Sequence, residues 1–249
     1  MLESHLMNLV LDFGNSRVKA AIFDQRKLLH VQTYLALTEK RLGIILKKFP
    51  VESSILSSVI HNSNHIEKFL RKKTHFNKLT SYTPIPIHNF YKSPETLGMD
   101  RLANVTGAHA LFPNKNILVI SAGTCITYDV ITGEGNYFGG NISPGVDMQL
   151  KAMHTFTARL PLVQKKMTRE LFGKSTTQAM LTGVIKGTAF EMKGFVAAYR
   201  KKYPALRVII TGGDASLFET MIESKIFAVP HLVLYGLNEI LLMNYAEKV

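Results

Sequence analysis

The sequence predicts an α/β protein built from two similar halves. Short apolar, β-branched runs alternate with longer amphipathic segments, which is typical of mixed strands and helices. One pattern, an apolar strand followed by a glycine turn and a second strand, occurs twice, as LVLDFGNSRVKAAIFD (9–24) and LVISAGTCITYDVITG (118–133). We therefore expect two βββαβα-type halves, residues 1–113 and 114–249, with a ligand cleft between them.

The first half opens on three predicted strands. Apolar runs at 8–13 and 18–24 flank the turn signal Gly14-Asn15-Ser16, and 27–35 continues the meander. Thr38 is a suitable N-cap for a helix over 39–49, which ends before Pro50. Beyond it the pattern predicts a strand at 54–60, a helix at 64–73, a proline-rich loop at 82–94 and a helix at 98–112.

The second half repeats this order. A strand at 116–120 leads into Gly123-Thr124, and a further strand with a glycine turn, VIITGGDA, occupies 208–215. Long helices are predicted at about 144–155, 177–202 and 231–246. When the two strand–turn–strand segments are aligned, Asp12, Gly14 and Asn15 correspond to Ser121, Gly123 and Thr124.

The composition is that of an ordinary soluble protein, with 249 residues, 46% of them hydrophobic and 19% charged. The single cysteine, Cys125, excludes a disulfide framework and a zinc cluster, indicates a reducing compartment and is expected to face the core. No run approaches the roughly 18 apolar residues of a membrane span. The N-terminal residues lack a signal-peptide pattern. We therefore expect a cytoplasmic protein that does not bind membranes.

The net charge of +12 makes nucleic acid a partner class to test. The excess lies in separate clusters near the ends of predicted helices, where cations oppose the negative end of the helix dipole. These clusters are Lys47-Lys48, Arg71–Lys73, Lys165-Lys166 and Arg200–Lys202. Because no basic tract is interleaved with aromatic residues and no nucleic-acid motif occurs, we expect no nucleic-acid partner. Anionic substrates or solubility account for the charge.

The segment DFGNSRVK (12–19) has the chemistry of a phosphate-binding turn. Gly14 lets backbone approach a bulky anion, and successive N–H groups in a tight turn form an anion-binding concavity. Asn15 and Ser16 add donors, Lys19 adds a positive charge, and Asp12 can hold Mg²⁺ through water. Taken alone, the segment favours the alternative of a plain hairpin with a Gly-Asn turn. A protein-kinase Asp-Phe-Gly motif is excluded, because the accompanying glycine-rich loop and His-Arg-Asp motif are missing from the sequence.

Two further glycine turns follow buried strands. The turn at 121–127 offers the Gly123 N–H and the Thr124 hydroxyl, and Thr211-Gly212-Gly213 suits close approach of a nucleotide. Facing each other, the first two turns could hold the β- and γ-phosphates from both sides. Three such turns in a duplicated chain predict a nucleotide site more strongly than any one alone.

A series of motifs along the chain resembles one family. The motifs are DFGNSRVK (12–19), Tyr91 with Pro94, LGMDR (97–101), AGTCIT (122–127), GGNISPG (139–145), TARLP (157–161), TTQAMLTG (176–183) and TGG (211–213). In this order and at these spacings they resemble the type III pantothenate kinases of the actin/hexokinase/Hsp70 superfamily, over nearly the whole chain. The resemblance implies the duplicated ribonuclease-H-like, actin-like ATPase fold. It also implies ATP- and Mg²⁺-dependent phosphorylation of pantothenate, the first step of coenzyme A synthesis.

The resemblance also assigns candidate roles. Asp100 matches the family's catalytic base, although the residues alone favour the alternative that it merely caps the helix beginning near Gly98. Arg101 would bind the pantothenate carboxylate or a transferring oxygen, the alternative being a surface salt bridge. Thr176 would reach the site from the second subunit of a homodimer. Pantothenate contacts are expected at Tyr91, Gly98, Met99, Asp100, Arg101 and Thr176. Contacts with ATP are expected at Asp12, Phe13, Gly14, Asn15, Ser16, Arg17, Val18, Lys19 and Thr124.

One position departs from the family pattern. In much of the family the second phosphate turn begins with an Asp that binds K⁺ or NH₄⁺, whereas this chain has Ser121. A neutral hydroxyl is a weaker ligand for a hard cation, so we expect monovalent-cation dependence to be weakened or taken over by other oxygens. Asp129 is a candidate substitute, or a charge at the end of a hairpin.

Two other functions remain open from the sequence. The chain could phosphorylate or dephosphorylate a different small molecule on the same scaffold, although the 91–101 segment favours pantothenate. It could also be a non-catalytic transcription accessory protein. Retention of Asp12, Asp100 and Thr124 favours an enzyme.

Overall fold

Two mixed β-sheets with the same internal strand order organise the chain. The computed structural model describes residues 7–15, 17–58, 63–222 and 225–246. The strands are β1 (Met7–Phe13), β2 (Val18–Asp24), β3 (Lys27–Tyr34), β4 (Val51–Ser58), β5 (His75–Lys78), β6 (His88–Asn89), β7 (Ile117–Ala122), β8 (Cys125–Ile131), β9 (Asn136–Pro144), β10 (Arg207–Thr211) and β11 (Ile226–Ala228).

Seven α-helices are described, together with a 3₁₀ turn at Pro94–Thr96. They are α1 (Glu39–Lys48), α2 (Asn64–Arg71), α3 (Met99–Leu111), α4 (Val146–Phe156), α5 (Thr176–Lys202), α6 (Ala215–Ile222) and α7 (Leu232–Ala246). Thr38 is the N-cap of α1, as predicted, and its hydroxyl accepts a hydrogen bond from the Arg41 N–H at 3.4 Å. No helix among the described residues is both long and apolar enough to cross a membrane.

The first sheet has the order β3-β2-β1-β4-β5. Strands β1 and β2 pair antiparallel, as do β2 and β3, whereas β4 runs parallel to both β1 and β5. The central strand β1 is buried along nearly its whole length, which explains its continuous apolar sequence. The side chains of the edge strand β3 are exposed or half-buried, and its sequence accordingly alternates between polar and apolar residues.

The second sheet repeats that order as β9-β8-β7-β10-β11. Strands β7 and β8 pair antiparallel, and β10 runs parallel to both β7 and β11. Strand β6 pairs parallel with the first two residues of β9. The repeated strand order and directions confirm the duplication predicted from the sequence.

The chain divides into two units that differ from the predicted halves in two segments, 135–137 and the residues from 231 onward. The first unit takes the described residues up to 113 together with 135–137 and 231–246, and the second takes 114–134 and 138–230. The sequence-based division at 113/114 placed the last helix, α7, in the second half. It belongs to the first unit because Leu234, Leu237 and Ile240 pack with Val10 and Phe23 of the first sheet.

Helices α3 and α7 of the first unit meet at closely packed glycines. A side chain at Gly236 would collide with the Ala103 carbonyl, and one at Gly107 would collide with the backbone of Leu232 and Gly236. This contact fixes the axis of α3, and with it the helix start at Gly98 that carries Asp100 and Arg101.

Candidate functional site

The first phosphate-type turn connects β1 to β2 in the first unit. Asp12 and Lys19 are register partners across the hairpin, and the Lys19 Nζ lies 3.2 Å from the Asp12 Oδ2. The Asp12 side chain is 10% exposed and that of Lys19 is 31% exposed. Because the pair is shielded on one side only, Lys19 can turn toward an anion while Asp12 stays at the strand end. Asp12 is therefore a carboxylate held beside one cation in a mostly buried position.

The turn itself is closed by backbone. The Gly14 N–H donates to the Arg17 carbonyl at 3.1 Å, so this group is engaged inside the turn rather than aimed outward. Asn15 and Arg17 are exposed, whereas Phe13 and Val18 are buried in the core of the first unit. Phe13 and Val18 therefore anchor the turn, and Asn15 and Arg17 present polar groups. The predicted ligand residue Ser16 lies outside the described residues.

A layered stack holds the predicted pantothenate-contacting residues Tyr91 and Arg101 together. The Arg101 guanidinium lies 5.5 Å from the centre of the Tyr91 ring, and Tyr91 stacks in turn on Tyr137 at 6.3 Å with an interplanar angle of 8°. Arg101 is 4% exposed and Tyr137 is fully buried. A surface salt bridge, the alternative considered for Arg101, does not fit this burial. The cation–π contact orients the guanidinium without consuming its donors.

Asp100 lies in the first turn of α3, two residues after the N-cap, which is Gly98. Asp100 is therefore not the N-cap residue of α3, and the N-cap position itself makes no side-chain hydrogen bond. A side chain on Gly98 would come within 2.6 Å of an Asp100 carboxylate oxygen, so glycine leaves room for that carboxylate. Asp100 is half-buried at the positive end of the helix dipole.

The second phosphate-type turn connects β7 to β8 in the second unit. The Gly123 N–H, which sequence analysis offered to a phosphate, instead donates to the Cys125 carbonyl at 3.0 Å. The Gly145 N–H donates to the Thr124 carbonyl at 3.0 Å, and a side chain at Gly145 would collide with the Gly123 and Thr124 backbone. Thr124 is exposed, so its hydroxyl stays available.

The third glycine turn follows β10. Gly212 has φ of +98°, a conformation that favours glycine, and a side chain there would collide with the Ala122 carbonyl. The Asp214 N–H donates to that same carbonyl at 3.0 Å. The second and third turns are therefore in direct backbone contact within the second unit, as the interpretation of both as parts of one nucleotide site requires.

Thr176 is the first residue of α5 and is exposed. The helix is capped by Ser175, whose hydroxyl accepts from the Gln178 N–H at 3.3 Å. Thr176 belongs to the second unit, whereas Tyr91 and Arg101 belong to the first. The Thr176 hydroxyl therefore lies at the exposed, capped start of α5.

Two further expectations from the sequence were wrong. Cys125 is exposed rather than turned to the core, because it is the first residue of β8 and lies next to the turn. Asp129 is not at a hairpin end. It is 1% exposed in the middle of β8, opposite Val119.

Two other charged or titratable groups lie beside residues of these turns, and the sequence did not predict a role in the site for either. Lys165 forms ion pairs with Asp147 and Asp214, at 2.6 and 2.7 Å. His231, just before α7, has its pKa lowered by burial and by the positive charge of Lys19. Neither has a local signal in the sequence, because its partners are far away in the chain: Asp147 and Asp214 for Lys165, and Lys19 for His231.

The described residues offer no preformed cluster of metal ligands. Within them, no group of three or more His, Cys, Asp or Glu side chains could hold a metal ion. Mg²⁺ in phosphoryl-transfer sites is usually held by one or two carboxylates and substrate phosphates, with water completing the shell. Asp12, with its partly buried carboxylate at a strand end, suits such a metal.

Comparison with known proteins gives consistent relatives along the chain. The family model described as type III pantothenate kinase matches residues 8–198. The type III pantothenate kinase of Phocaeicola vulgatus is 46% identical over 240 residues, covering 96% of this chain and 99% of the relative. That of Christiangramia forsetii is 42% identical over 243 residues, covering 97% and 100%.

Solved structures agree on the fold. A Campylobacter jejuni protein named for the Baf family of transcriptional activators superposes with a TM-score of 0.59 at 23% identity, covering 96% of this chain and 99% of that one. A ROK family glucokinase from Streptomyces griseus, in complex with glucose and AMPPNP, gives 0.53 at 11% identity, covering 95% and 98%. At these identities the likeness concerns the fold alone, and it confirms the expected duplicated, actin-like ATPase architecture.

Proposed function

Because the chain belongs to the type III pantothenate kinase family, we propose that it transfers the γ-phosphoryl group of ATP to the primary hydroxyl of pantothenate. The observation that carries the proposal is the stack in which buried Arg101 lies over Tyr91, with Asp100 next to it at the start of α3. A fixed guanidinium suits a carboxylate substrate, and a neighbouring carboxylate suits a hydroxyl that must lose a proton.

Asp100 is the proposed general base. Its carboxylate accepts the hydroxyl proton of pantothenate while the hydroxyl oxygen attacks the γ-phosphorus and ADP leaves. Because the transition state of phosphoryl transfer is loose, little proton transfer is needed before the bond to the leaving group is largely broken. Positioning by the α3 start therefore matters as much as basicity.

Arg101 is the proposed anchor of the substrate. Its guanidinium is held by the Tyr91 ring and by burial, so its donors are oriented before substrate arrives. Tyr91 is oriented from both sides, because its ring stacks on Tyr137 and its N–H donates to the Asn89 side chain at 3.0 Å. Gly98 and Met99 complete the proposed pantothenate contacts through their backbone.

A kinase of this family uses ATP and a divalent cation, which we propose is Mg²⁺. Asp12 would hold it through water, and the bound metal would neutralise developing charge on the phosphates. Lys19, Asn15 and Thr124 would bind phosphate oxygens, with Ser16 and Arg17 completing the first turn. Phe13, Gly14 and Val18 would set the shape of that turn.

Monovalent-cation dependence is proposed to be weak. The position that carries an Asp in much of the family is Ser121 here, opposite Thr127 in the register of β7 and β8. Two hydroxyls supply no negative charge to K⁺ or NH₄⁺. Turnover in potassium, ammonium, sodium and a bulky organic cation measures the dependence, and a steep potassium requirement would contradict a weakened site.

We also propose a cytoplasmic homodimer in which Thr176 contributes to the partner's site. Support comes from the second unit, where Phe138, Ile142 and Phe190 on β9 and α5 are each more than half exposed. Exposed large apolar side chains at this density are typical of interfaces. Light scattering on the purified chain tests the dimer, and Phe190→Glu should shift it toward monomer if α5 is part of the interface.

The experiment that tests the proposed reaction is pantothenate-dependent ADP release. Asp100→Asn should lower kcat by about 100-fold or more, the scale of removing a general base. The matched control, Glu95→Gln, removes an exposed carboxylate five residues earlier and should leave turnover unchanged. Turnover of Asp100→Asn equal to wild type would remove Asp100 from the mechanism. Absence of pantothenate-dependent ADP release from the wild type in every cation would reject the kinase and favour a non-catalytic role.

A further inference from the structure

Lys165 joins two parts of the second unit that lie far apart in the chain. It belongs to the stretch 157–175, which has neither helix nor strand and connects α4 to α5. The Lys165 Nζ lies 2.6 Å from the Asp147 Oδ2 and 2.7 Å from the Asp214 Oδ1. Val163, two residues earlier, is buried in the core of the unit, so the lysine extends from an anchored segment.

Each carboxylate is attached to one of the glycine turns. Asp147 lies in the first turn of α4, two residues after Gly145, whose N–H donates to the Thr124 carbonyl. Asp214 directly follows Gly212-Gly213, and its N–H donates to the Ala122 carbonyl. The contacts therefore form a closed ring from the 122–124 turn through α4, Lys165 and Asp214 back to Ala122.

The two arms of this ring differ in burial. The Asp214 side chain is 10% exposed, whereas that of Asp147 is 64% exposed and that of Lys165 is 35% exposed. An exposed ion pair contributes little, while a mostly buried carboxylate depends strongly on its partner. Partial burial lowers the pKa of Lys165, but the hydrogen bonds that Lys165 donates to Asp147 and Asp214 raise it by more, so the ammonium is charged at neutral pH.

We infer that Lys165 is a positioning residue for nucleotide binding, which sets the distance between the second and third glycine turns by holding Asp147 and Asp214 to one ammonium group. The inference rests on the proposed function, since it takes these turns as the nucleotide-binding ones. Nothing in it requires Lys165 to touch ATP. Its effect is to keep the backbone of the two turns in the binding arrangement before the nucleotide arrives.

The test measures nucleotide affinity directly and apart from turnover. Lys165→Met keeps the length of the side chain but removes its charge. Calorimetric titration with ADP should show binding weakened by about 10-fold or more, since small displacements of binding groups have effects of this size or larger. The KM for ATP should rise in parallel, while the KM for pantothenate should stay within about 2-fold, because Tyr91 and Arg101 lie in the other unit.

Two further variants separate positioning from loss of stability. Lys165→Arg keeps a cation that can bond both carboxylates and should retain ADP affinity within about 3-fold of wild type. Lys165→Met combined with Asp214→Asn removes the carboxylate left unpaired, so the unfolding midpoint should recover while ADP affinity stays low. Lys166→Met, a change at an exposed neighbour, is the matched control and should bind ADP as wild type does.

The outcomes distinguish this inference from the proposed function. If the wild type binds no ADP, the proposed nucleotide site itself is wrong. If the wild type binds ADP and Lys165→Met binds it equally well, Lys165 has no positioning role. Recovery of ADP affinity together with stability in the double variant would also overturn the inference, because it would show that the lysine acts only through folding.

Discussion

The two strand–turn–strand hairpins occupy equivalent places in their sheets but differ in charge. Asp12 pairs with Lys19 one step before the turn in the first unit, and Ser121 pairs with Thr127 one step before the turn in the second. The first hairpin therefore has an ion pair at 3.2 Å at the position where the second hairpin has two hydroxyl side chains. The Thr127 hydroxyl is buried and has no hydrogen-bond partner among the described residues.

This difference indicates that the two copies of the hairpin are stabilised in different ways. The first turn carries charged side chains, and its backbone is held within the turn by the hydrogen bond from the Gly14 N–H to the Arg17 carbonyl. The second turn is neutral but is braced by other backbone, because Gly145 and Gly212 both pack closely on residues 122–124. We therefore expect the first turn to be sensitive to changes of charge and the second to changes of volume.

The largest expected effect is on charge. Asp12→Asn should lower kcat/KM by about 100-fold or more, because the carboxylate proposed to carry Mg²⁺ and orient Lys19 is lost. The matched change at the equivalent position, Ser121→Ala, should cost less than about 10-fold, since it removes one neutral hydroxyl. Steady-state ADP release measures both. Equal losses in the two variants would contradict the division of charge between the turns.

The next effect is on volume. Gly145→Ala should lower the free energy of unfolding by about 2–4 kcal/mol, because the added methyl group meets the Gly123 and Thr124 backbone, which cannot move aside. Gly14→Ala should cost about 1 kcal/mol or less, since among the described residues its methyl group would meet the Arg17 carbonyl alone, at 3.3 Å. Urea unfolding midpoints give the comparison. A larger loss at Gly14 than at Gly145 would reverse the expected order.

A smaller effect should follow from giving the second turn an acid. Ser121→Asp places a carboxylate opposite Thr127, where no lysine faces it, and so provides the charge that a monovalent cation needs. We expect potassium to raise its kcat/KM by about 3–10-fold over a bulky organic cation, a gain of about 1 kcal/mol. The wild type should show a smaller ratio. A variant that is active but indifferent to potassium would show that this strand position does not form the cation site.

The sequence predicted the elements whose signals are local. Strand periodicity located β1 to β4, β7, β8 and β10, and the Thr38 cap located the start of α1. It did not locate strands β5, β6, β9 and β11 or helix α6. The alignment of the two hairpins found the Asp12–Ser121 correspondence. The same alignment matched Lys19 with Tyr128, however, because the second turn is one residue shorter than the first. The strand register shows that Thr127, which pairs with Ser121, is the residue equivalent to Lys19.

What the sequence could not give depends on contacts between distant residues. An apolar helix such as α7 packs equally well on either sheet by its pattern, and its membership of the first unit was decided by the close approach of Gly236 to α3. The stack of Arg101 on Tyr91 and Tyr137 and the ring through Lys165 are likewise non-local. The sequence shows which residues share a motif, whereas the contacts that orient those residues could not be predicted from it.

The smallest expected effect is a difference between the two units in how their stability depends on pH. Burial raises the pKa of Glu67 in the first unit, but hydrogen bonds from Lys78 at 2.8 Å and from Ser63 at 2.7 Å lower it by more, leaving it below 4.5. A lowered pKa means that the stabilisation is present above 4.5 and is lost as pH falls through the folded-state value. In the second unit the raised pKa of Lys165 implies the opposite sign, with stabilisation present below 10.5 and lost only in more alkaline solution.

Glu67→Gln should therefore be about 0.5 kcal/mol less stable than wild type at pH 7, because the Lys78 side chain is 38% exposed and solvent screens its attraction to Glu67. The gap should close as pH falls below 4.5, since wild-type Glu67 then becomes neutral as well. Urea unfolding between pH 3 and 8 measures it, with Glu170→Gln, an exposed carboxylate, as a control that should stay level with wild type. A gap that does not narrow toward the acid end of this range would mean that Glu67 acts through its shape and not through its charge.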